Sequence, residues 1–509
     1  KAIFNLPTAI ENTSEAPDSN YPFILTTGRI RDQWHTMTKT GKVSRLMTHI
    51  PSPVLEMNPI DAYKAEIETD DIVTVSSKNG TVRVKVKVAN TTRESVVFLP
   101  MHWGKQLDND LNRTNNLTNT LIDPLSKEPD LKYTCVAIEK YKKPTEKIVV
   151  VGAGAAAFRF IQNYREINTQ DEIVVFSNEK NPFYNRVLLP EYVTAELSWE
   201  QLLKIKEEAL AKLNITLQSE VAINHINTDE KKITDSNGVI HHYDTLILAT
   251  GSRPFVPENA QLHLPGRFTI RKKDDADRLR NYLEQTQLPP EEQHVVIVGG
   301  GLLGLELAAA LKHKKVKITI IQRASRLMER QLDRISSKLL AEEVQQRDIQ
   351  IYFDNEVSTV FSTNRAHELE IALKSGRTLT ANAIVYTIGT IPNIEVAKEA
   401  GLTCARGVKV NQYLQSSNPS IFAIGEIAEF NNQLFGITSA AEEQADILAN
   451  YLAGDISSHY KGSVLMNILK LEDINLCSIG EIEVPENDDS YEEIVFSDLW
   501  KRYYKKCIV

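Results

Sequence analysis

Val149-Val150-Val151-Gly152-Ala153-Gly154-Ala155-Ala156-Ala157 and Val295-Val296-Ile297-Val298-Gly299-Gly300-Gly301-Leu302-Leu303-Gly304-Leu305-Glu306 are two versions of one pattern. In each, an apolar β-branched run ends in closely spaced glycines and passes straight into helix-compatible sequence. That strand–turn–helix context is what makes a glycine pattern a dinucleotide site. The first glycine allows a tight turn. The second lets the backbone approach a pyrophosphate with no Cβ in the way, and the third small residue keeps the helix close to the strand. The helix N-terminus then offers free N–H groups and the positive end of its dipole to the phosphates. On this reading Gly152, Gly154 and Ala157 build one site, and Gly299, Gly301 and Gly304 build another. Separated by Leu246-Ile247-Leu248-Ala249-Thr250-Gly251, the pair predicts an enzyme holding two dinucleotides face to face, a flavin and a nicotinamide.

An acidic residue is expected after the second strand of each unit, on the ribose hydroxyls. Ile173-Val174-Val175-Phe176-Ser177-Asn178-Glu179 supplies Glu179 for the first. The second strand ends Ile320-Ile321-Gln322-Arg323, with no acid. Arg323 there suits a 2′-phosphate, and the choice between NADH and NADPH stays open.

The 509 residues carry a net charge of −9, which favours neither nucleic acid nor an anionic membrane as partner. No apolar run approaches the roughly 18 residues needed to span a bilayer. The four cysteines, Cys135, Cys404, Cys477 and Cys507, are scattered and make no Cys-x-x-Cys. They offer neither a metal-cluster motif nor a local redox disulfide, and such sparse use suits a reducing, cytoplasmic setting. Electrons must then leave to a bound acceptor, another domain or oxygen. The chain opens at Lys1 without an initiator methionine and closes on Tyr503-Tyr504-Lys505-Lys506-Cys507-Ile508-Val509, like a strand just beginning. It is read as a fragment of a longer polypeptide.

The module boundaries follow the hydrophobic period. Residues 1–141 are mostly β. The runs Ile72–Ser77 and Thr81–Val88 flank Lys78-Asn79-Gly80, a hairpin signal. Alternation in the second run puts valines on one face and charges on the other. Gly104 to Thr120 reads as loop. From Lys147 the pattern switches to βα alternation, giving a module over 147–455 with the nicotinamide part inserted at about 290–375. Arg334–Arg347 reads as a charged amphipathic helix. Residues 464–509 read as the start of an α+β domain.

Further motifs carry a family resemblance. Asn181-Pro182-Phe183-Tyr184-Asn185-Arg186, Tyr243–Pro254 with its Ala249-Thr250-Gly251 turn, and Leu327-Met328-Glu329-Arg330-Gln331-Leu332-Asp333 resemble the flavoprotein part of NAD(P)H-dependent nitrite reductase large subunits. The wider group is the two-dinucleotide flavin reductases. The resemblance implies that Arg186 and the Ala249-Thr250-Gly251 strand end lie at FAD. It implies that Gly425-Glu426 replaces the Gly-Asp pair that holds the ribityl and phosphate region. Glu306 would approach the flavin–nicotinamide stack as the catalytic residue, the alternative being an ordinary helix-start acid. Gly389 resembles the glycine turn beside the nicotinamide, and is equally a plain turn.

The N-terminal module holds Thr27-Gly28-Arg29-Ile30-Arg31-Asp32-Gln33-Trp34-His35-Thr36-Met37-Thr38. Arginines, an indole, a histidine and hydroxyls in a loop after a strand suit a large polar ligand with phosphates and fused rings; the same loop is compatible with plain surface. Together with Pro100-Met101-His102-Trp103, Asn115-Asn116-Leu117-Thr118 and Asp123-Pro124-Leu125-Ser126-Lys127, it resembles the C-terminal dinucleotide-binding domain of molybdopterin oxidoreductases, nearest the assimilatory nitrate reductases. The resemblance implies a β-barrel-like cap on molybdopterin guanine dinucleotide, with Thr27, Gly28, Arg29, Trp34, His35, Thr36, Thr38, His102 and Asn115 as its contacts. The molybdenum ligand and any iron–sulfur cluster would then lie outside this chain.

The expected fold is therefore multidomain: a molybdopterin dinucleotide-binding barrel, then an α/β two-dinucleotide Rossmann-type module. The expected function is a step in nitrate assimilation, with electrons passing from NAD(P)H through FAD to molybdenum, where nitrate becomes nitrite. The rivals are a nitrite reductase flavoprotein portion and a flavin electron-transfer module with no substrate site of its own.

Overall fold

The structure is a computed structural model that describes residues 15–104, 109–122, 127–471, 474–484, 490–498 and 500–509. The Asp123–Ser126 part of one quoted motif lies outside them. Two compact units divide the chain. One runs up to Thr145 and takes in Asn163–Gln170 and Asp446–Tyr460. The other holds Glu146–Gln162, Asp171–Ala445 and Lys461–Val509.

Six strands close the barrel of the first unit: β1 (Phe23–Gly28), β2 (Val54–Met57), β3 (Ile72–Ser76), β4 (Thr81–Val88), β5 (Val96–Pro100) and β6 (Thr134–Lys140). Their order round the barrel is β1-β5-β2-β4-β3-β6. Closure leaves no sheet edge unpaired. The expected hairpin forms between β3 and β4, which pair antiparallel from Ile72↔Lys85 to Ser76↔Thr81. Its alternation is the reason the barrel has an inside. Val82, Val84 and Val86 are buried with Leu25, Leu55, Val97 and Leu99, while Arg83, Lys85 and Lys87 point away from that core. Each buried aliphatic side chain contributes about 1.5–3 kcal/mol. Short 3-10 turns at Asp110–Asn112 and Thr114–Asn116 punctuate the region read as loop.

The second unit repeats one plan. Its elements in chain order are β7 (Lys147–Val151), α1 (Ala155–Ile167, whose last turn falls in the first unit), β8 (Glu172–Ser177), β9 (Thr216–Ser219), β10 (Thr245–Leu248) and β11 (Ser252–Pro254). Then follow β12 (Arg267–Thr269), α2 (Lys273–Gln285), β13 (His294–Val298), α3 (Leu302–His313), β14 (Lys317–Ile321), α4 (Arg334–Gln346) and β15 (Ile349–Tyr352). β16 (Ala383–Tyr386), β17 (Thr390–Pro392) and β18 (Ile421–Ala423) complete the plan. One five-stranded sheet has the order β18-β10-β7-β8-β9 and the other β12-β16-β13-β14-β15. Every pair in both is parallel. Parallel strands are covered on both faces and so read as continuous apolar runs; Ile148–Val150 and Val295–Ile297 are fully buried. β11 and β17 pair antiparallel and join the two halves.

The second sheet spans 267–386, wider than the expected insertion at 290–375. Its opening strand β12 has only three residues and no glycine turn to announce it, and pairing with β16 recruits it. Among the described residues after 464 there are two antiparallel hairpins, Met466–Leu471 with Ile474–Ile479 and Glu493–Asp498 with Tyr503–Ile508, and no helix. The closing residues are thus a paired strand. Among the described residues no helix is long and apolar enough to cross a membrane.

Candidate functional site

At the first glycine turn the backbone shows why glycine is needed. Gly152 has φ +112°, and a Cβ on it would sit 2.1 Å from the Ala249 carbonyl oxygen at the end of β10. Gly154 is the opposite case, since a Cβ there would meet nothing within 4 Å. Clearance at that position, with the α1 N-terminus beside it, is what a diphosphate requires. Ala157 is fully buried. Gly425 closes on the same helix: its φ is +80°, its Cβ position is 3.2 Å from the Ala156 Cβ, and its N–H donates to Gln444 Oε1 at 2.7 Å. Gln444 is itself fully buried, and its Nε2 has no partner among the described residues.

A network of charge lies around this turn. Glu179 follows β8 as expected. Its carboxylate accepts from the Tyr184 hydroxyl at 2.8 Å and from Arg186 Nη2 at 2.8 Å. The Tyr184 oxygen in turn accepts from Arg186 Nη1 at 2.8 Å and from the Lys273 N–H at 3.0 Å. Burial pushes the Tyr184 phenol well up, so it stays a donor to Glu179. Glu426 accepts from Ser252 Oγ at 2.5 Å and pairs with Arg271. Arg271 also donates from Nε to the Ser252 carbonyl at 3.1 Å, and its own carbonyl accepts from Arg186 Nη1 at 3.3 Å. Arg186, Glu179, Glu426 and the 249–252 strand end therefore meet through Arg271. Sequence reading missed that arginine; its one signal is the basic run Arg271-Lys272-Lys273 just before α2. Thr250 Oγ1 donates to the Asn393 carbonyl, and Asn393 Nδ2 donates back to the Thr250 carbonyl, both at 2.9 Å. Gly251 has φ +62°.

The second turn repeats the first. Gly299 has φ +114°, and its Cβ position lies 2.6 Å from the Thr387 carbonyl oxygen, just past β16. Gly301, like Gly154, is clear to 4 Å. Gly304 is packed against the turn itself, its Cβ position being 2.1 Å from the Gly299 carbonyl oxygen. Gln322 takes the strand-end position expected of an acid. It is 8% exposed, accepts from the Gly300 N–H at 2.8 Å and donates to the Arg326 carbonyl at 3.1 Å. Arg323 is exposed beside it. Glu306 lies half-buried on α3. Gly389 has φ +108° with open space at its Cβ position, and its carbonyl accepts from the Phe255 N–H at 2.9 Å.

In the barrel unit the motif residues gather on the segment after β1. The Arg29 guanidinium stacks 4.7 Å from the Trp34 ring centroid, and Trp34 meets His35 edge-on at 4.9 Å. The Thr36 and Thr38 hydroxyls bond each other at 2.5 Å. Trp34, His35, Thr36 and Thr38 are all exposed. Thr27 and His102 face inward instead. Thr27 Oγ1 donates to the Leu131 carbonyl at 2.6 Å. His102 accepts from the Ile30 N–H at 3.0 Å through Nε2, and its Nδ1 lies 2.8 Å from the His35 carbonyl. Burial lowers its pKa, which favours this neutral ring. Both ring nitrogens are thus spent on pinning the 30–35 loop, so His102 positions that loop. The Gly28 Cβ position lies 3.1 Å from the Phe98 ring, and its carbonyl accepts from the Met101 N–H at 3.0 Å. Asn115 is exposed in its 3-10 turn. Gln33 Oε1 and Trp103 Nε1, buried on the same segments, have no partner among the described residues, which fits a polar ligand above them.

Two parallel dinucleotide folds, joined by a crossing strand pair and each with a cleared glycine turn, define an FAD- and NAD(P)H-dependent oxidoreductase. The profile of the pyridine nucleotide-disulphide oxidoreductases matches residues 146–445, and the chain belongs to that family. The molydopterin dinucleotide binding domain profile matches residues 23–135, and that of the rubredoxin NAD+ reductase C-terminal domain matches 466–509. The assimilatory nitrate reductase electron transfer subunit of Bacillus subtilis (strain 168) is 31% identical over 364 residues, covering 71% of this chain and 46% of that protein. The nitrite reductase (NAD(P)H) of the same organism is 30% identical over 367 residues, covering 72% and 44%. The chain thus spans less than half the length of these curated relatives. A crystal structure of a ferredoxin reductase from Rhodopseudomonas palustris superposes with a TM-score of 0.64 at 25% identity, covering 71% of this chain and 88% of that one.

Proposed function

We propose that the chain is the flavin-bearing electron-input part of a cytoplasmic nitrate-assimilating reductase, carrying electrons from NAD(P)H towards a molybdenum site where nitrate is reduced. The observation that carries this is the joining, on one chain, of two cleared glycine turns to a barrel matching the molydopterin dinucleotide-binding profile. The barrel also favours nitrate over the nitrite reading that the second relative would otherwise support equally.

FAD bound at the first turn would supply the hydride-accepting, electron-splitting chemistry. The chain's own part is binding and alignment. Gly154 and the α1 N-terminus take the diphosphate, Glu179 and Arg186 stand at the adenosine end, and Arg271 with Glu426 flanks the linking region. Gly301 and α3 orient the nicotinamide dinucleotide, and Glu306 lies at the reacting face. Gly28, Arg29, Trp34, His35, Thr36 and Thr38, on a segment pinned by His102, contact the molybdopterin guanine dinucleotide together with Asn115, while Thr27 ties the end of β1 to the Leu131 carbonyl. No two of the chain's cysteines lie close in sequence. Among the described residues no cluster of three or more His, Cys, Asp or Glu is placed to hold a metal ion. On this reading the acceptor is a partner domain or protein carrying the iron–sulfur and molybdenum centres.

The test uses the chain as it stands. Purified with FAD, it should reduce ferricyanide or a tetrazolium dye with NAD(P)H, while nitrate with reduced viologen should yield no nitrite. A protein that stays colourless in excess FAD sinks the flavin reading. Nitrite formed on adding molybdenum cofactor would show that the substrate site lies within these residues.

A further inference from the structure

The end of β14 is where a Rossmann unit reads the adenine ribose: a carboxylate takes the 2′-hydroxyl, a nearby guanidinium a 2′-phosphate. Here the sequence from Gln322 to Arg326 has no acid. Gln322 is turned inward and used at both ends, on the Gly300 N–H and the Arg326 carbonyl. The glycine turn is thereby linked to the backbone of Arg326. Two guanidiniums flank this strand end. Arg323 is exposed. Arg326 donates from Nη1 to Glu483 Oε1 at 2.9 Å and from Nη2 to the Glu329 carbonyl at 3.1 Å.

Glu483 belongs to the C-terminal segment. That segment is moored to the same loop and helix at other points. Tyr504 donates to Asp333 at 2.5 Å, Lys506 lies 3.8 Å from it, and Arg502 pairs with Glu343. Asp333 is the N-cap of α4, accepting from the Ser336 N–H at 2.9 Å. Glu483 shares one segment with these moorings, so its carboxylate is a tethered competitor for Arg326.

We propose that Arg326 is a second 2′-phosphate ligand of the nicotinamide site and that Glu483 holds it back, so that the C-terminal segment biases the site towards NADH. The inference rests on the reading of the second turn as the nicotinamide site. The Arg326–Glu483 pair is partly exposed, 23% and 52% at the two side chains, and such pairs are readily exchanged. A phosphate presents more charge and three acceptor oxygens, which a planar guanidinium engages bidentately. NADPH must displace Glu483 to gain that contact. NADH has no group that would. Because Gln322 anchors the Arg326 backbone, the exchange needs only side-chain rotation.

The experiment is calorimetric titration of the FAD-loaded full chain with NAD+ and NADP+, with anaerobic flavin reduction by NADH run in parallel. Glu483→Gln should tighten NADP+ by up to about fivefold, the worth of the partly exposed pair that NADP+ no longer has to break, and leave NAD+ unmoved. The double variant with Arg326→Ala should lose that gain, and raised salt should erode it. An unchanged NADP+/NAD+ ratio in Glu483→Gln, with NADH still reducing the flavin, overturns the proposal alone. Failure of both nucleotides to bind or to reduce the flavin overturns the nicotinamide reading as well.

Discussion

The two glycine turns differ in what occupies their third position and in what ends their second strand. Gly304 fills the third position of the second turn with no room to spare, its Cβ position being 2.1 Å from a carbonyl oxygen; the first turn carries Ala157 there, fully buried. The helix after the second turn thus packs closer to its strand than the helix after the first. Thr387, whose hydroxyl donates towards the Val298 and Gly299 carbonyls at 3.1 and 3.2 Å, tightens that packing. At the strand ends, Glu179 is a charged residue held by Arg186 and Tyr184, while Gln322 is neutral and spent on backbone. The first turn is built as a charged socket. On the proposed reading, the second leaves its ribose end to Arg323 and Arg326. The proposed pair of a tightly kept flavin and an exchanging nicotinamide would use such a difference.

The comparison can be broken most directly at the second glycines. Gly154→Val should remove FAD, giving colourless protein by absorbance. Gly301→Val should keep FAD and slow anaerobic reduction by NAD(P)H, followed by stopped flow. Loss of FAD in both would mean the sites are assigned wrongly. Next in size is Arg323→Ala. A charge-assisted contact with a phosphate is worth roughly 1.5 to 3 kcal/mol, so NADPH affinity should fall by roughly one to two orders of magnitude while NADH barely responds. An equal response would make Arg323 a surface residue. Smallest, and sharpest on geometry, is the third position. Gly304→Ala should cost about 1–3 kcal/mol of stability by overpacking. Ala157→Gly should cost only about 1 kcal/mol through helix propensity. Thermal melts of the two variants should therefore rank in that order, and the reverse ranking would refute the closer packing of α3.

Much of the fold was legible because its signals are local. The glycine spacings, the β-branched runs and the 72–88 hairpin each declare themselves within a dozen residues. The motifs of the barrel loop were legible as a cluster, but the inward role of His102 was not, since it depends on Ile30 and His35, which fold back onto it from β1's far end. The second sheet's true extent was hidden for a similar reason. A three-residue strand such as β12 has no period of its own and exists because β16 pairs with it.

By itself the sequence determined the two strand–turn–helix units, the missing acid at Gln322, the scattered cysteines and the valine face of the barrel. These are properties of residue type and spacing along the chain, where backbone sterics and burial period act within a few positions. Only the tertiary structure decided that Arg271 meets Glu426 across 155 positions and that Glu483 reaches Arg326 across 157. An ion pair has no period and no spacing rule. Its partners are chosen by which strand ends and loops the packed sheets bring within hydrogen-bond reach, and that choice is made only when the core has formed.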